Sequence, residues 1–414
     1  MTNTFPQNNK ATPFKSSDRD LPFHWDKKQL KEIAKVRYGK ARPEELGKVP
    51  VIGSGGVYAS AATALVEFPT LIIGRKGTAG MVWLQEQPCW PSDTTFFLDW
   101  KNATVDYHFL YYALLQRPLS GEYARTTLPS LLKSNVENYT IAVPPQPEQH
   151  AIVRILQAVQ EAKATRQREI EVERERKAAL MENLFTKGTR RESTKQTEIG
   201  EMPEGWKIKR LSQVCAVKTS FPPFNLIETL DTRKDTDDTI LALKVSDMNL
   251  QSNQKYMTES RLFIHSPLTN LNNNQLLKPH SVIFPKRGAA ISTNKKRITK
   301  YYSVLDPNLI GVEPSSEIDV EYLHAFFERF DLMNISDNTP IPQLNKHQVE
   351  NILLPSPELS EQRSIAFTKC KFDNKIELLE REAVILNELF KALSEELMSG
   401  RVSTEQLIEV ATDE

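Results

Sequence analysis

Two short basic turns hold the residues best suited to chemistry with an anion. Gly74-Arg75-Lys76-Gly77-Thr78-Ala79-Gly80 and Pro285-Lys286-Arg287-Gly288-Ala289-Ala290 each set two adjacent cations on a backbone that glycine keeps bare. Phosphate oxygens could approach such a turn closely and accept from amides as well as side chains. The candidate contacts are Arg75, Lys76, Gly77 and Thr78 in the first turn, and Lys286, Arg287 and Gly288 in the second. The second turn extends through Lys295, Lys296, Arg297 and Lys300, and no acidic residue occurs from Ser281 to Leu305, so it reads as a local positive stripe. A solvated hairpin with ordinary surface lysines is the plainer alternative, and it is weaker for two such turns than for one.

A second constellation is Leu128-Pro129-Ser130-Leu131-Leu132-Lys133 and its twin Ile341-Pro342-Gln343-Leu344-Asn345-Lys346, each just before Val-Glu-Asn. The amides of Gln343 and Asn345 can bond adenine edges, Ser130 can meet phosphate or base, and Lys133 and Lys346 add charge. The same residues equally suit a helix cap that positions the strand after it, which is the reading the sequence favours. Catalytic signatures are missing: there is no phosphate-binding Gly-x-x-x-x-Gly-Lys-Ser/Thr, no His-Glu-x-x-His, no Cys-x-x-Cys and no Gly-x-Ser-x-Gly. Val143-Pro144-Pro145-Gln146 lacks the amide and aromatic that a methyltransferase would use to hold a target base, so it reads as a connector.

The elements that carry these residues occur twice. Pro129 and Pro342, Val136-Glu137-Asn138 and Val349-Glu350-Asn351, Glu148-Gln149 and Glu361-Gln362, and Leu184 and Leu397 all sit 213 positions apart. A period this long indicates two copies of one domain-plus-helix unit rather than a solenoid. Each copy opens at a tryptophan followed five residues later by leucine, Trp25 to Leu30 and Trp206 to Leu211. Apolar runs at 70–74, 94–98 and 281–284 predict strands, and 106–116 and 320–330 predict buried helices, so each globular part is of the α+β class. Proline-rich connectors then lead into long helical patterns, the first from about Glu148 and closed at Gly188, the second capped by Ser360 and closed at Gly400. Each would be roughly 55–60 Å long.

Apolar positions recur at three- and four-residue steps along both long helices: Ile152, Ile155, Val159, Leu180 and Leu184, then Ile365, Phe372, Leu379, Leu386, Leu393 and Leu397. Polar residues interrupt the first seam where the second stays apolar, so the two helices suit each other, packed as an antiparallel coiled coil, better than either suits a copy of itself. The expected organisation is a disordered lead-in (1–20), a first globular domain (21–147), a spacer helix (148–188), a linker (189–203), a second domain (204–357), a second spacer helix (358–400) and a tail (401–414).

At 414 residues with 39% hydrophobic composition, the chain can build a core in each copy. Lys plus Arg and Asp plus Glu both total 53, which excludes a bulk field drawing the chain to nucleic acid or membrane and makes any basic surface local. Cys89, Cys215 and Cys370 lie far apart and fit reduced thiols without a metal. No apolar leader or membrane-length run is seen, and the expected location is the cytoplasm.

The duplicated order of these motifs resembles the specificity subunits of type I restriction-modification enzymes. The resemblance runs from about Leu21 to Arg401. It rests on Gly53-Ser54-Gly55-Gly56, the run from Ile72 to Gly80, Trp90-Pro91-Ser92-Asp93-Thr94-Thr95, the run from Val282 to Ala289, and the Pro-x-Pro-Glu exits into helices ending Leu-Phe-Thr-Lys-Gly and Leu-Met-Ser-Gly-Arg. It adds Gly55 and Gly56 to the DNA-contact candidates. It implies a non-catalytic, cofactor-free reader with two target recognition domains, each taking one half of a split double-stranded DNA sequence, held apart by the paired helices. It also implies two DNA adenine methyltransferase (modification) subunits carrying S-adenosylmethionine, and restriction/translocase subunits using ATP and Mg, with no membrane partner. The rival from another class is a tandem scaffold whose domains bind proteins without DNA specificity.

Overall fold

Both halves of the chain begin with the same device: a short strand, one helical turn and a second strand. The computed structural model describes residues 22–101, 104–116, 119, 130–219, 230–231, 240–264, 276–337 and 339–402. The chain divides into two compact units, Met1–Arg168 with Leu379–Glu414, and Glu169–Leu378.

In the first unit, strand Asp26–Gln29 pairs antiparallel with Thr140–Val143, so the connector that follows leaves directly from a strand. After the turn Leu30–Ile33, strand Ala34–Tyr38 enters a four-stranded antiparallel sheet in the order Ala34–Tyr38, Thr95–Trp100, Thr70–Gly74, Val82–Gln85. The central strand Thr70–Gly74 is buried along its whole length. A smaller sheet joins Gly56–Ala61, Val49–Gly53 and Trp90–Pro91. Helix Tyr107–Gln116 covers the larger sheet and contributes Phe109 and Leu110 to a core with Trp25, Leu71 and Phe96.

The second unit repeats this plan with insertions. Strand Lys207–Arg210 pairs with Leu353–Ser356, the turn Leu211–Val214 follows, and Cys215–Thr219 begins a five-stranded sheet through Leu309–Pro314, Val282–Pro285, Arg297–Thr299 and Tyr256–Met257. A further sheet of Leu230–Asp231, Phe263–Ile264, Ile240–Leu243 and Ser303–Leu305 accounts for the greater length of this half. Helix Val320–Arg329 takes the place of Tyr107–Gln116. The segment 189–203, expected as a linker, contains an antiparallel hairpin of Thr194–Thr197 and Gly200–Pro203, and Leu354 and Pro355 of the second connector are strand residues.

The 213-residue register survives at atomic detail in a pair of buried glutamines. Gln149 accepts from the amide of Asp106 at 2.8 Å and donates to the carbonyls of Thr104 and Pro144 at 3.2 and 2.8 Å. Gln362 accepts from Asp319 at 2.9 Å and donates to Glu317 and Pro357 at 3.0 and 2.9 Å. Each glutamine ties the first turn of a long helix to the start of the shorter one, where Asp106 and Asp319 in turn cap the free amides with their carboxylates. Both glutamines are fully buried, so an apolar replacement orphans three main-chain groups at once.

The long helices span Gln146–Lys187 and Leu359–Met398. The second begins at Leu359, so Ser360 lies inside its first turn and is not its cap. Pairing is antiparallel in both units. In the first, Lys163 reaches Asn387 at 2.6 Å and Arg166 reaches Glu382 at 2.9 Å; in the second, Glu173 meets Lys375 at 2.8 Å and Lys177 meets Asp373 at 2.6 Å. Numbers fall on one helix as they rise on the other. Of the expected seam, Ile152, Leu184, Ile365, Leu379 and Leu397 are buried, while Ile155, Val159, Leu180, Phe372, Leu386 and Leu393 are half-buried. The ends of the helices also enter the domain cores, through Val153, Leu156 and Leu397 in the first unit and Met181, Phe185 and Ile365 in the second.

One seat on these helices is charged in one unit and apolar in the other. In the second unit, the buried Lys369 ammonium lies 2.6 Å from Asp373 and 3.2 Å from Glu328, and Lys177 lies 2.6 and 3.2 Å from the same two carboxylates. Lys255 joins through Glu321 at 3.0 Å, and Tyr256 donates to the same carboxylate. His324 stands beside Glu328, and burial together with nearby Lys369 pushes its imidazole down to about 4. At the corresponding positions the first unit has Phe390, Leu115, Leu156 and Gln160 in place of Lys177, Glu328, Lys369 and Asp373. Burial raises the affinity of Glu328 and Asp373 for protons, but Lys369 and the other neighbouring cations outweigh it and hold both below the usual carboxylate range.

Two outcomes follow for unfolding in urea. Gln149→Leu and Gln362→Leu should each destabilise the unit that contains it, by about 2–3 kcal/mol; full stability in both variants would contradict the clamp. For the charged seat, carboxylates depressed on folding stabilise fully above about pH 4–5, and that stability is lost as pH falls through their lowered values. Lys369→Leu alone should cost about 3 kcal/mol at neutral pH. The fourfold change Lys177→Phe, Glu328→Leu, Lys369→Leu, Asp373→Gln should recover that loss and weaken the acid sensitivity of the second unit.

Candidate nucleic-acid interface

Strand Thr70–Gly74 delivers the first basic turn. Gly74 cannot carry a side chain, because a Cβ there would lie 2.3 Å from the Thr78 carbonyl oxygen, and Gly77 has φ of +75°, a conformation costly for other residues. The Gly80 amide donates to the Gly74 carbonyl at 2.8 Å and closes the loop. Lys76, Gly77 and Thr78 are exposed on it. The amides of Arg75 and Lys76 are already committed, both donating to the Thr94 carbonyl at 2.8 and 3.2 Å, so at these two positions the side chains, and not the main chain, would meet an anion.

The other sequence candidates of this unit gather around the turn. Gly55 and Gly56 form the tip of the hairpin between Val49–Gly53 and Gly56–Ala61, and Ser54 beside them donates its amide to Thr94 Oγ1 at 3.3 Å. Ser130 forms a bridge with Lys76, and the Leu131 amide donates to the Arg75 carbonyl at 2.8 Å. The two constellations identified separately in the sequence are therefore one structure. Lys133 opens a helical turn, Lys133–Glu137, with its ammonium 3.4 Å from Glu137. Leu128 and Pro129 lie outside the described residues.

Sequence reasoning missed Tyr38. Its ring is about half exposed and has the Arg75 guanidinium 5.4 Å and the Lys133 ammonium 5.8 Å from its centroid. Arg75 also donates to the Asp93 carbonyl at 2.6 Å, which fixes the guanidinium against the ring. An exposed aromatic held between two cations can contact a base or a thymine methyl while the cations meet phosphate. A Lys-x-Arg-Tyr pattern at the end of a strand was the available signal.

The second unit builds the same junction with different side chains. Strand Val282–Pro285 is buried throughout and ends at Lys286-Arg287-Gly288, where Gly288 has φ of +66°. Leu344 donates its amide to the Lys286 carbonyl at 2.8 Å, Gly288 donates to Pro342 at 2.7 Å, and Arg287 bridges Gln343. The Arg287 guanidinium donates to Gln343 Oε1 at 3.1 and 3.3 Å, and Gln343 Nε2 donates to Asn345 Oδ1 at 3.2 Å, a chain of polar groups at the surface. Burial and the adjacent Arg287 hold the Lys286 ammonium below the usual lysine range. Asn345 precedes the helical turn Lys346–Glu350 and its amide donates to Gln348 Oε1 at 2.7 Å; Lys346 lies 3.6 Å from Glu350. The capping role and the polar surface thus share the same residues.

The basic stripe beyond Gly288 is thinner than its composition suggests. Lys296 is buried, donates to the Phe330 carbonyl at 2.7 Å, and is pushed down to about 8 by burial. Arg297 donates to the carbonyls of Asn253 and Lys296 at 2.7 and 2.9 Å. Lys295 donates to Asn249, and Lys300 stays exposed over the Tyr256 ring. Part of the stripe thus turns inward onto main-chain carbonyls, and Arg287, Lys295 and Lys300 remain its outward cations.

Known proteins are similar to this chain in sequence and fold. The family model described as type I restriction modification DNA specificity domain matches residues 22–174 and again 203–388. The type I restriction enzyme MjaVIII specificity subunit of Methanocaldococcus jannaschii is 25% identical over 330 residues, 76% of this chain and 75% of that one. A putative type I restriction enzyme MjaX specificity subunit from the same organism is 23% identical over 320 residues, covering 73% and 69%. The crystal structure of the type I restriction-modification system S subunit from M. genitalium has the same fold, with TM-score 0.59 at 16% identity over 93% of this chain and 98% of that one. With two matched copies falling on the two halves that carry the paired turns, the chain belongs to the type I restriction modification DNA specificity domain family.

Proposed function

We propose that each unit of this chain reads one half of a bipartite, asymmetric DNA sequence, and that the long helices set the spacing and seat two DNA adenine methyltransferase subunits. DNA sequence recognition is the role of the family, and its specificity subunits are not themselves catalysts. The observation that carries the reading is the repeated junction of a basic glycine turn with a second polar segment, Lys76 beside Ser130 and Arg287 beside Gln343. A constant backbone with changed side chains is what two readers of different half-sites require: phosphate contacts fix position, and the variable groups, Tyr38 and Lys133 in one unit and Gln343 and Asn345 in the other, face the bases.

The partners supply everything this chain lacks for reaction. S-adenosylmethionine belongs to the methyltransferase subunits, and ATP with Mg to restriction/translocase subunits, in the cytoplasm where the DNA is. Among the described residues no helix is long and apolar enough to cross a membrane. The chain is neutral overall, so tight binding depends on local contacts within the assembled complex.

Mapping methylated adenines in cells that express the full set of subunits tests the reading. Tyr38→Ala with Lys133→Ala should weaken methylation by about ten- to a hundredfold, with relaxed preference confined to one half of the target. Equal relaxation of both halves, or an unchanged map, would remove the assignment of one half-site to each unit.

A further inference from the structure

Beneath strand Ala34–Tyr38 of the first unit lies a groove of about 640 Å³, lined by Lys31, Lys35, Arg37, Lys40, Lys101 and Lys133. Its two acidic residues are already engaged, Asp99 with Arg37 at 2.6 Å and Glu137 with Lys133 at 3.4 Å. Among the described residues, Lys31, Lys35, Lys40 and Lys101 have no carboxylate partner; Lys31 donates to Asn138 Oδ1 at 3.0 Å and Lys101 donates to the Lys31 carbonyl. The strand presents Lys35 and Arg37 on one exposed face while Ala34 and Val36 enter the core. Tyr38 and Lys133 line the groove and also flank Arg75, so the groove continues from the basic turn.

Among the described residues, the second unit carries different side chains at the same place. Strand Cys215–Thr219 pairs with Leu309–Pro314 as Ala34–Tyr38 pairs with Thr95–Trp100. At the positions of Lys31, Lys35 and Lys101 it carries Ser212, Ala216 and Ser315, and Thr219 replaces Tyr38. Its two retained cations are both paired: Lys218 in place of Arg37 lies 3.0 Å from Glu313, and Lys346 in place of Lys133 lies 3.6 Å from Glu350. The duplication therefore preserved the fold of this strand pair and left the free charge on one copy only.

The geometry points to this groove as a phosphate-tracking surface for the DNA backbone, which makes the first unit the electrostatic anchor of the chain on a duplex. The inference rests on the proposed reading of DNA and adds a contact that carries no sequence information, because unpaired lysines around an open groove recognise phosphate charge and not base edges. Non-specific affinity and its salt dependence then arise mainly in the first unit, and the second contributes chiefly to base choice.

The test uses the full chain and a short random-sequence duplex, with binding measured by anisotropy over a series of salt concentrations. Lys31→Ala, Lys35→Ala and Lys40→Ala together should make the plot of log affinity against log salt shallower by about 2–3, near 0.9 per phosphate contact, with affinity at low salt reduced about tenfold or more. A control replacing Lys187, Arg190 and Lys207, exposed on the other unit, should leave both quantities near those of the unaltered chain. If the groove variant and the control behave alike while the unaltered chain binds in a salt-dependent way, the anchor is overturned and the reading of DNA stands. If the unaltered chain binds with no salt dependence, the reading of DNA fails and the anchor falls with it.

Discussion

The antiparallel seam between the two long helices is the constraint on which the remaining structure depends. Each helix belongs to both units: Ile152 and Leu156 of the first and Leu397 of the second close one core, while Met181 and Phe185 of the first and Ile365 of the second close the other. Neither globular part completes its core from its own stretch of chain. The last helix must return to finish the first domain, which makes the folding of each copy conditional on the other. This explains why the 213-residue register is kept so strictly at Gln149 and Gln362, where the helices join the domains, and drifts in the strands between.

The two copies answer the same packing problem with different chemistry. Phe390 and Leu156 fill in the first unit the seat that Lys177 and Lys369 occupy in the second, between Glu328 and Asp373. Apolar contact is tolerant of small shifts, whereas a half-buried ion cluster is not, since a slip of the helices leaves charge uncompensated. The charged seat thus ties the helix pair to one register where the apolar seat supplies cohesion. A similar division runs through the outer surfaces, with free lysines concentrated beside Tyr38 in one unit and a hydrogen-bonded amide chain at Gln343 in the other.

Much of this architecture was legible in the sequence because duplication amplifies weak signals. No single motif marks the basic turns, yet two of them after strands, each followed by a second shared segment and a long helix, gave the α+β class, the paired helices and the family resemblance. What stayed hidden depends on direction and not on residue type. Lys296 counts as positive charge in the sequence, but its ammonium turns inward to the Phe330 carbonyl, a contact 34 residues away in the chain. Tyr38 bears no charge to mark it in the sequence, and its place at the surface between Arg75 and Lys133 is set by residues distant in the chain. The joining of Arg75 to Leu131 and of Lys286 to Leu344 spans more than fifty residues in each unit, beyond what local pattern conveys. The hairpin within 189–203 was missed because its strands are short and polar.

On the proposed reading, the seam also measures the gap between half-sites, and lengthening it tests that claim most directly. One heptad inserted into each long helix, between Arg168 and Glu169 and between Leu378 and Leu379, preserves the seam and adds about 10 Å. Sequencing of methylated DNA from cells expressing this variant with its partner subunits should reveal both half-sites unchanged and the gap between them wider by about three base pairs, at roughly 3.4 Å each. The same half-sites at the original gap would contradict it.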